Sequence, residues 1–232
     1  MSFIKLENIL FIDIETAPIH YQYKALSVTE KELWDKKWMY SKDVTPEQQY
    51  AKAGIYAEFA KVVCIGLGFM SEGKFRTKAI AGVNEHDILT EFSKLLEQFF
   101  NTKEHFLCAH NGKEFDYPFL CRRLLVNRIP LPKLLQIQGF KPWEVKHLDT
   151  MEMWRFGDIK NFTSLNLLAH IFGIPSPKDD IDGSQIATVY YEEKNIERIK
   201  TYCIKDVVTL VRIYQSLKGL EVLKDNDIVY TQ

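Results

Sequence analysis

Two carboxylates, Asp13 and Glu15, stand two residues apart inside the apolar run Ile9-Leu10-Phe11-Ile12-Asp13-Ile14-Glu15. The run reads as a buried strand, whose side chains alternate between faces, so Asp13 and Glu15 point the same way. Ile9 and Phe11 precede them on that face, which is therefore not a plain solvated surface. Asp is disfavoured in strands. Two like charges about 4 Å apart repel by roughly 4 kcal/mol at an effective dielectric near 20. A bound divalent cation is the simplest way to offset that repulsion. A strand end that merely emerges into solvent is the alternative.

Further along the chain, Tyr202 and Asp206 are spaced i and i+4 in a long helical pattern, so a phenol and a carboxylate project from one edge of that helix. Ile196, Ile199, Cys203, Val207, Leu210, Tyr214 and Leu217 form its core stripe. A surface Tyr over a solvated Asp has the same spacing. Another carboxylate, Asp116, follows Ala109-His110-Asn111-Gly112-Lys113-Glu114-Phe115 and reads as a helix N-cap, with Phe115 and Leu120 as a hydrophobic staple.

The elements that must position these groups follow from periodicity and punctuation. The first strand ends at about Thr16. Helical patterns start near Ser27, with Glu30 completing a capping box, and at Thr45-Pro46, a cap followed by a first-turn proline. Lys61 to Met70 and Lys74 to Ala81 read as a hairpin around Ser71-Glu72-Gly73. Asn84 caps an amphipathic helix carrying Ile88, Leu89, Phe92, Leu95, Leu96 and Phe99. Phe106 to Ala109 is a short buried strand, a helix runs from Asp116 toward Arg128, and Trp143 to Asp149 holds another short strand. Ser164 to Ile171 is helical and closed by Gly173. Asn195 caps the last helix, which stops at Gly219. Strands interleaved with helices imply an α/β fold around a central sheet.

Read in order, these pieces are Asp-x-Glu on a strand, Asn-x-x-x-Phe-Asp at a helix start, and Tyr-x-x-x-Asp on a final helix. The pattern resembles the DEDD superfamily of 3′–5′ exonucleases in its tyrosine-bearing (DEDDy) branch, over nearly the whole chain from about Asn8 to Tyr214. The histidine-bearing branch has His five residues before the last Asp, where this chain has Thr201. Within the superfamily the chain resembles the proofreading exonuclease domain of family B DNA polymerases and its stand-alone relatives.

The resemblance implies a ribonuclease H-like mixed β-sheet flanked by α-helices. It implies a single exonuclease domain over 1–232, with a helical insertion at about 21–58 that compact proofreading domains lack. It implies a nuclease that hydrolyses phosphodiester bonds at 3′ ends with two Mg²⁺ ions, for which Mn²⁺ can substitute. Asp13, Glu15, Asp116 and Asp206 would hold the metal, and Tyr202 would orient the attacking water. Thr16, His110, Asn111, Phe115 and Phe119 match positions that contact the 3′ end. Ser164 and Leu165 match a motif that holds the single strand, and Lys178 in Lys178-Asp179-Asp180-Ile181 matches a lysine that meets the cleaved phosphate. No polymerase domain accompanies these motifs, which argues against proofreading in cis. Single-stranded DNA is the expected substrate. An RNA 3′-end trimming enzyme and an inactive nucleic-acid-binding module are the alternatives.

Composition narrows the field. The 232 residues are 46% hydrophobic and 26% charged, an ordinary globular balance that argues against disorder. The net charge of −1 supplies no global basic field, so a nucleic-acid partner must be held by a local groove. No apolar run reaches membrane-spanning length and no signal pattern opens the chain, so a cytoplasmic location is expected. Cys64, Cys108, Cys121 and Cys203 make no CxxC pair and read as free thiols in a reducing compartment. Gly66-Leu67-Gly68 lacks the third glycine of a dinucleotide fingerprint, because position 71 is Ser, and leads into a hairpin rather than a helix.

Overall fold

The computed structural model describes residues 4–41, 43–158, 160, 162–175 and 181–231. Its elements are β1 (Ile9–Pro18), α1 (Val28–Trp38), α2 (Pro46–Gln49), β2 (Ala60–Ser71), β3 (Lys74–Ala81), α3 (Glu85–Phe99), β4 (Phe106–Ala109), α4 (Asp116–Val126), β5 (Leu148–Asp149), α5 (Thr150–Arg155), α6 (Leu165–Ile171), α7 (Ile186–Thr188), α8 (Ile196–Lys218) and β6 (Ile228–Tyr230). They form one mixed six-stranded sheet in the order β5-β4-β1-β2-β3-β6. β1 pairs antiparallel with β2 and parallel with β4. This is the ribonuclease H-like arrangement of a mixed sheet flanked by helices.

The two faces of β1 show why the sheet sits where it does. Leu10, Ile12 and Ile14 enter a core with Ile65, Leu67, Leu89, Phe92 and Leu120, under α3 and α4. Ile9 and Phe11 enter the opposite core with Phe75, Cys108, Val207 and Tyr214, under α8. Period-two alternation therefore delivers Asp13 and Glu15 to the α8 side. β1 runs to Pro18, past the expected end at Thr16, because a register shift after Glu15 keeps it paired; Glu15 faces Cys64, Thr16 faces Val62, and Val63 is the extra residue.

Gly66 and Gly68 explain how α8 gets so close. A Cβ on Gly66 would stand 2.8 Å from the Cys203 Sγ and 2.9 Å from a Val207 methyl, and one on Gly68 would stand 2.3 Å from the Phe75 ring. The two glycines thus mark the close approach of a helix to a strand, with Gly66 directly opposite Asp13. We expect Gly66→Ala to push α8 outward and to destabilise by about 1–3 kcal/mol, the usual cost of overpacking. Thermal melting reads that loss, and an unshifted midpoint would contradict the close packing.

Several expected elements differ. α4 starts at Asp116 itself, with Phe115 in the cap position and no side-chain cap bond, so Asp116 is a first-turn residue whose carboxylate is left for other work. The strand expected from Trp143 shrinks to Leu148–Asp149, and Trp143 is exposed. Phe99 lies on the solvent side of α3. The capping box at Ser27 forms as expected, and the expected Thr45 cap is itself a capping box, completed by Gln48. Between β1 and β2 the chain gathers around Trp34 of α1, which packs edge-on to Tyr50, Tyr56 and Phe59 at 4.9–5.7 Å and donates its indole N–H to the Pro46 carbonyl.

Candidate active site

Strand β1, the first turn of α4 and the middle of α8 carry the expected site groups, and Asp116 reaches β1 through the backbone N–H of Ile14. Glu15, Asp116 and Asp206 are buried and Asp13 is half-buried. Carboxylates so placed favour the neutral form, because burial penalises the charge and each neighbour adds repulsion. Burial raises Asp13 well above the carboxylate range, and Glu15, Asp206 and Asp116 push it further. Glu15 is raised by burial and then by Asp206, Cys64 and Asp116. Asp116 is raised to about 7, chiefly by burial, against the backbone N–H groups of Asp116 and Ile14 that favour its charged form. Asp206 is raised to about 6 by burial, with the Tyr202 hydroxyl opposing. The Tyr202 phenol is itself driven upward by burial and then by Asp206, Glu15 and Asp13.

Asp13 thus lies within electrostatic reach of Glu15, Asp206 and Asp116, and Tyr202 within reach of Asp206, Glu15 and Asp13. These mutual fields do not explain how the charge is neutralised. One oxygen of Asp206, Oδ1, is buried without a hydrogen-bond partner, as is Oδ1 of Asn111. Buried acceptors rarely go unpaired. Asp13, Glu15 and Cys203 offer ligand atoms within 4.8 Å of one another. Clustered hard carboxylate oxygens, with an unpartnered Asp206 oxygen in electrostatic reach, fit a divalent cation.

A prediction follows for the protein kept in EDTA. These carboxylates have folded-state pKa values above their unfolded ones. Their contribution to stability is therefore fully present below about pH 4 and is lost as pH rises through about 6 and 7. The melting temperature should fall by at least about 5 °C between about pH 5.5 and pH 8. Added Mg²⁺ should recover most of the fall at the higher pH. A metal-free midpoint that rises over the same range would contradict the charge crowding.

The remaining expected site residues divide by what the structure does with them. Phe115 is half-buried beside the carboxylates, its ring 5.4 Å from that of Phe119. Phe119 is 1% exposed and belongs to the core, where its ring backs that of Phe115. The His110 ring is occupied at both nitrogens, by the Thr150 hydroxyl at 2.9 Å and the Thr163 carbonyl at 2.8 Å. It ties the Asn111 loop to the residues before α6 and has no nitrogen left for a ligand. The Thr16 hydroxyl donates to the Gly54 carbonyl at 2.7 Å, which fastens the segment before β2 to β1. Asn111 is left-handed, with φ 62°. Ser164 accepts from the Leu167 N–H as the exposed N-cap of α6, and Leu165 packs into the core beneath α8. Lys178 lies outside the described residues.

One residue of consequence was absent from the expectations. Asp149, buried at the end of β5, accepts from the backbone N–H groups of Asn111 (3.0 Å), Lys113 (3.1 Å), Met151 (2.9 Å) and Glu152 (3.2 Å). It caps α5 and holds the loop that leads to Phe115 and Asp116. Its sequence signal, an Asp three residues before Glu152, is a plain N-cap pattern that says nothing of the distant loop.

A family model described as "Predicted 3'-5' exonuclease related to the exonuclease domain of PolB" matches residues 55–224. The matched span contains Asp116, Tyr202 and Asp206 and begins beyond Asp13 and Glu15. Among solved structures, the family B DNA polymerase from the hyperthermophilic archaeon Pyrobaculum calidifontis matches with a TM-score of 0.58 and 14% identity, over 90% of this chain and 24% of that one. This chain therefore spans about a quarter of that polymerase, and the likeness is one of fold. No curated protein sequence matches. Among the described residues, no helix is long and apolar enough to cross a membrane.

Proposed function

This chain belongs to the family of predicted 3′–5′ exonucleases related to the exonuclease domain of PolB, and on that premise we propose that it removes nucleotides from the 3′ ends of single-stranded DNA. The observation that carries the reading is the convergence of four carboxylates and a phenol from β1, α4 and α8, with a buried Asp206 oxygen lacking a partner. We read residues 1–232 as one such domain, with 21–58 as its insertion.

Asp13, Glu15 and Asp206 would hold one divalent cation, Mg²⁺ or Mn²⁺, and Asp13 with Asp116 would serve a second. Bound there, such cations supply charge neutralisation at the phosphate and a nucleophilic water at neutral pH. The protein's own share is positioning. Phosphodiester hydrolysis leaves little covalent work for side chains beyond in-line alignment. Tyr202 stays protonated, because burial and its acidic neighbours hold the phenol far above neutral pH. It therefore aims the attacking water by hydrogen bonding and does not act as a base. Phe115 offers a ring edge for the terminal base, Asn111 an unpaired acceptor beside it, and Ser164 and Leu165 the start of α6 for the strand behind. His110 and Asp149 hold these segments in register. Lys178 is assigned to the substrate phosphate from its motif.

Tyr202→Phe should slow single-turnover cleavage by about tenfold or more, at the low end of what a positioned proton-handling group contributes. Its Mg²⁺ dependence should change little, because no ligand is lost. Cleavage at the wild-type rate would make Tyr202 a packing residue.

The preference for unpaired DNA rests on the net charge of −1, which gives little salt-dependent hold on duplex, and on the aromatic edge at Phe115. Rates on single-stranded DNA, blunt duplex DNA and single-stranded RNA of one sequence, at about 0.15 M salt, test it. Faster digestion of single-stranded DNA is expected. Faster digestion of RNA would reassign the substrate, and no digestion of any of the three would reduce the chain to a binding module.

A further inference from the structure

Cys203 brings a sulfur into the same cluster of carboxylates. It sits three residues before Asp206 on α8 and shares that helix face. Its Sγ lies 3.4 Å from the Asp13 carbonyl oxygen and 3.5 Å from Asp13 Oδ2. Ligand atoms of Asp13, Glu15 and Cys203 all fall within 4.8 Å of one another. Asp206, more than nine-tenths buried, carries an unpartnered Oδ1 and its charge is felt by both Asp13 and Glu15. Cys64, paired across the sheet with Glu15, lies beside Cys203.

The distances suit a tetrahedral ion. Metal–sulfur and metal–oxygen bonds of about 2.3 and 2.1 Å, at a tetrahedral angle, put sulfur and oxygen about 3.6 Å apart. The Sγ to Oδ2 separation is 3.5 Å. In this structure the same separation serves an S–H···O contact. The donor set also differs from one built for Mg²⁺ alone, which takes oxygen ligands; thiolate selects softer ions such as Zn²⁺.

We propose that Cys203 makes this a mixed oxygen–sulfur site, in which Asp13, Glu15 and the Cys203 thiolate capture a thiophilic divalent cation such as Zn²⁺, Cd²⁺ or Co²⁺ more tightly than Mg²⁺. The proposal rests on the reading of Asp13 and Glu15 as metal ligands. On binding, the sulfur–metal bond forms as the S–H bond is lost and its proton passes to solvent. No electrons are transferred. A thiophilic ion held in this way competes with the hard cations for Asp13 and Glu15.

The test is optical and independent of nuclease activity. The full chain, reduced and stripped with EDTA, is titrated with Co²⁺ in the absence of nucleic acid. The expected result is a sulfur-to-cobalt charge-transfer absorption that saturates at an equimolar end point, is erased by added Zn²⁺ and persists in excess Mg²⁺. Cys203→Ser should lack the absorption and bind Zn²⁺ at least about tenfold more weakly, the least that even an outer-shell partner contributes. Cys64→Ser should keep it. Should Cys203→Ser fail to fold, persistence of the absorption in Cys64→Ser, Cys108→Ser and Cys121→Ser assigns it to Cys203 by elimination. A wild-type titration without a sulfur band, a band retained in Cys203→Ser, a band lost in Cys64→Ser, or displacement of Co²⁺ by excess Mg²⁺ overturns the proposal. Nuclease activity with Mg²⁺ in a protein that shows no band would overturn the sulfur ligand alone. A band in a protein that cuts nothing would overturn the functional reading alone.

Discussion

Asp13→Asn should abolish cleavage while leaving the metal-free fold at least as stable as wild type. Asn is the neutral isostere of the protonated carboxyl that burial already favours at this position. The substitution therefore removes repulsion with Glu15, Asp206 and Asp116 and adds no cavity. Function is affected in the opposite sense. A neutral amide cannot neutralise charge where a carboxylate would hold a cation, and several kcal/mol of transition-state stabilisation go with it. At 1.36 kcal/mol per tenfold change, the single-turnover rate should drop by about 10³-fold or more. Melting in EDTA and single-turnover cleavage in Mg²⁺, on one preparation, read both effects. Lost metal-free stability with retained cleavage would make Asp13 a structural residue.

The second large effect lies on the other side of the sheet. Glu85, at the start of α3, and Arg123, on α4, are 9% and 5% exposed. The Arg123 guanidinium donates to both Glu85 oxygens, at 2.9 and 2.6 Å, and to the Ala57 carbonyl at 2.7 Å. Glu85 also accepts from the Val62 N–H at 2.8 Å and the Asn127 amide at 2.9 Å. One buried ion pair thus joins α3, α4, β2 and the chain entering β2. Removing one partner leaves a charge buried and unpaired, which typically costs 3–5 kcal/mol. Arg123→Met should therefore lower the melting midpoint by about 10 °C, at roughly 2–4 °C per kcal/mol for a domain of this size. Arg123→Met with Glu85→Leu should recover much of the loss, because the pair is then replaced by apolar volume. A double variant as unstable as the sum of the singles would show that the two side chains act independently.

What the sequence disclosed and what it withheld divide along a physical line. Local periodicities travelled well into structure. The alternation of β1 put Asp13 and Glu15 on the face of Phe11, and the i, i+4 spacing put Tyr202 and Asp206 on one edge of α8. Each depends only on a residue and its near neighbours. Contacts made across long separations did not show in this way. Asp149 braces a loop 36 and 38 residues earlier, and Glu85 meets Arg123 38 residues later; neither pairing has a local signature. The Gly66-Leu67-Gly68 run lies in β2 and leads into β3, and its use becomes visible only with α8 lying against it. Phe119 lies in the core, and in sequence an aromatic one turn from Phe115 looks the same whether it faces a ligand or a core. β6 and α5 are short, and their hydrophobic periods are too brief to read.

The function proposed for this chain is 3′-end hydrolysis by the carboxylates of β1, α4 and α8. One experiment tests that directly: digestion of a single-stranded oligonucleotide, labelled at its 5′ end in one reaction and at its 3′ end in another, with Mg²⁺ or with EDTA. With Mg²⁺, the 5′ label should descend in a ladder of single-nucleotide steps while the 3′ label appears at once as a mononucleotide, and EDTA should stop both. Internal fragments, release of the 5′ label first, or no cleavage with Mg²⁺ or Mn²⁺ would contradict the account.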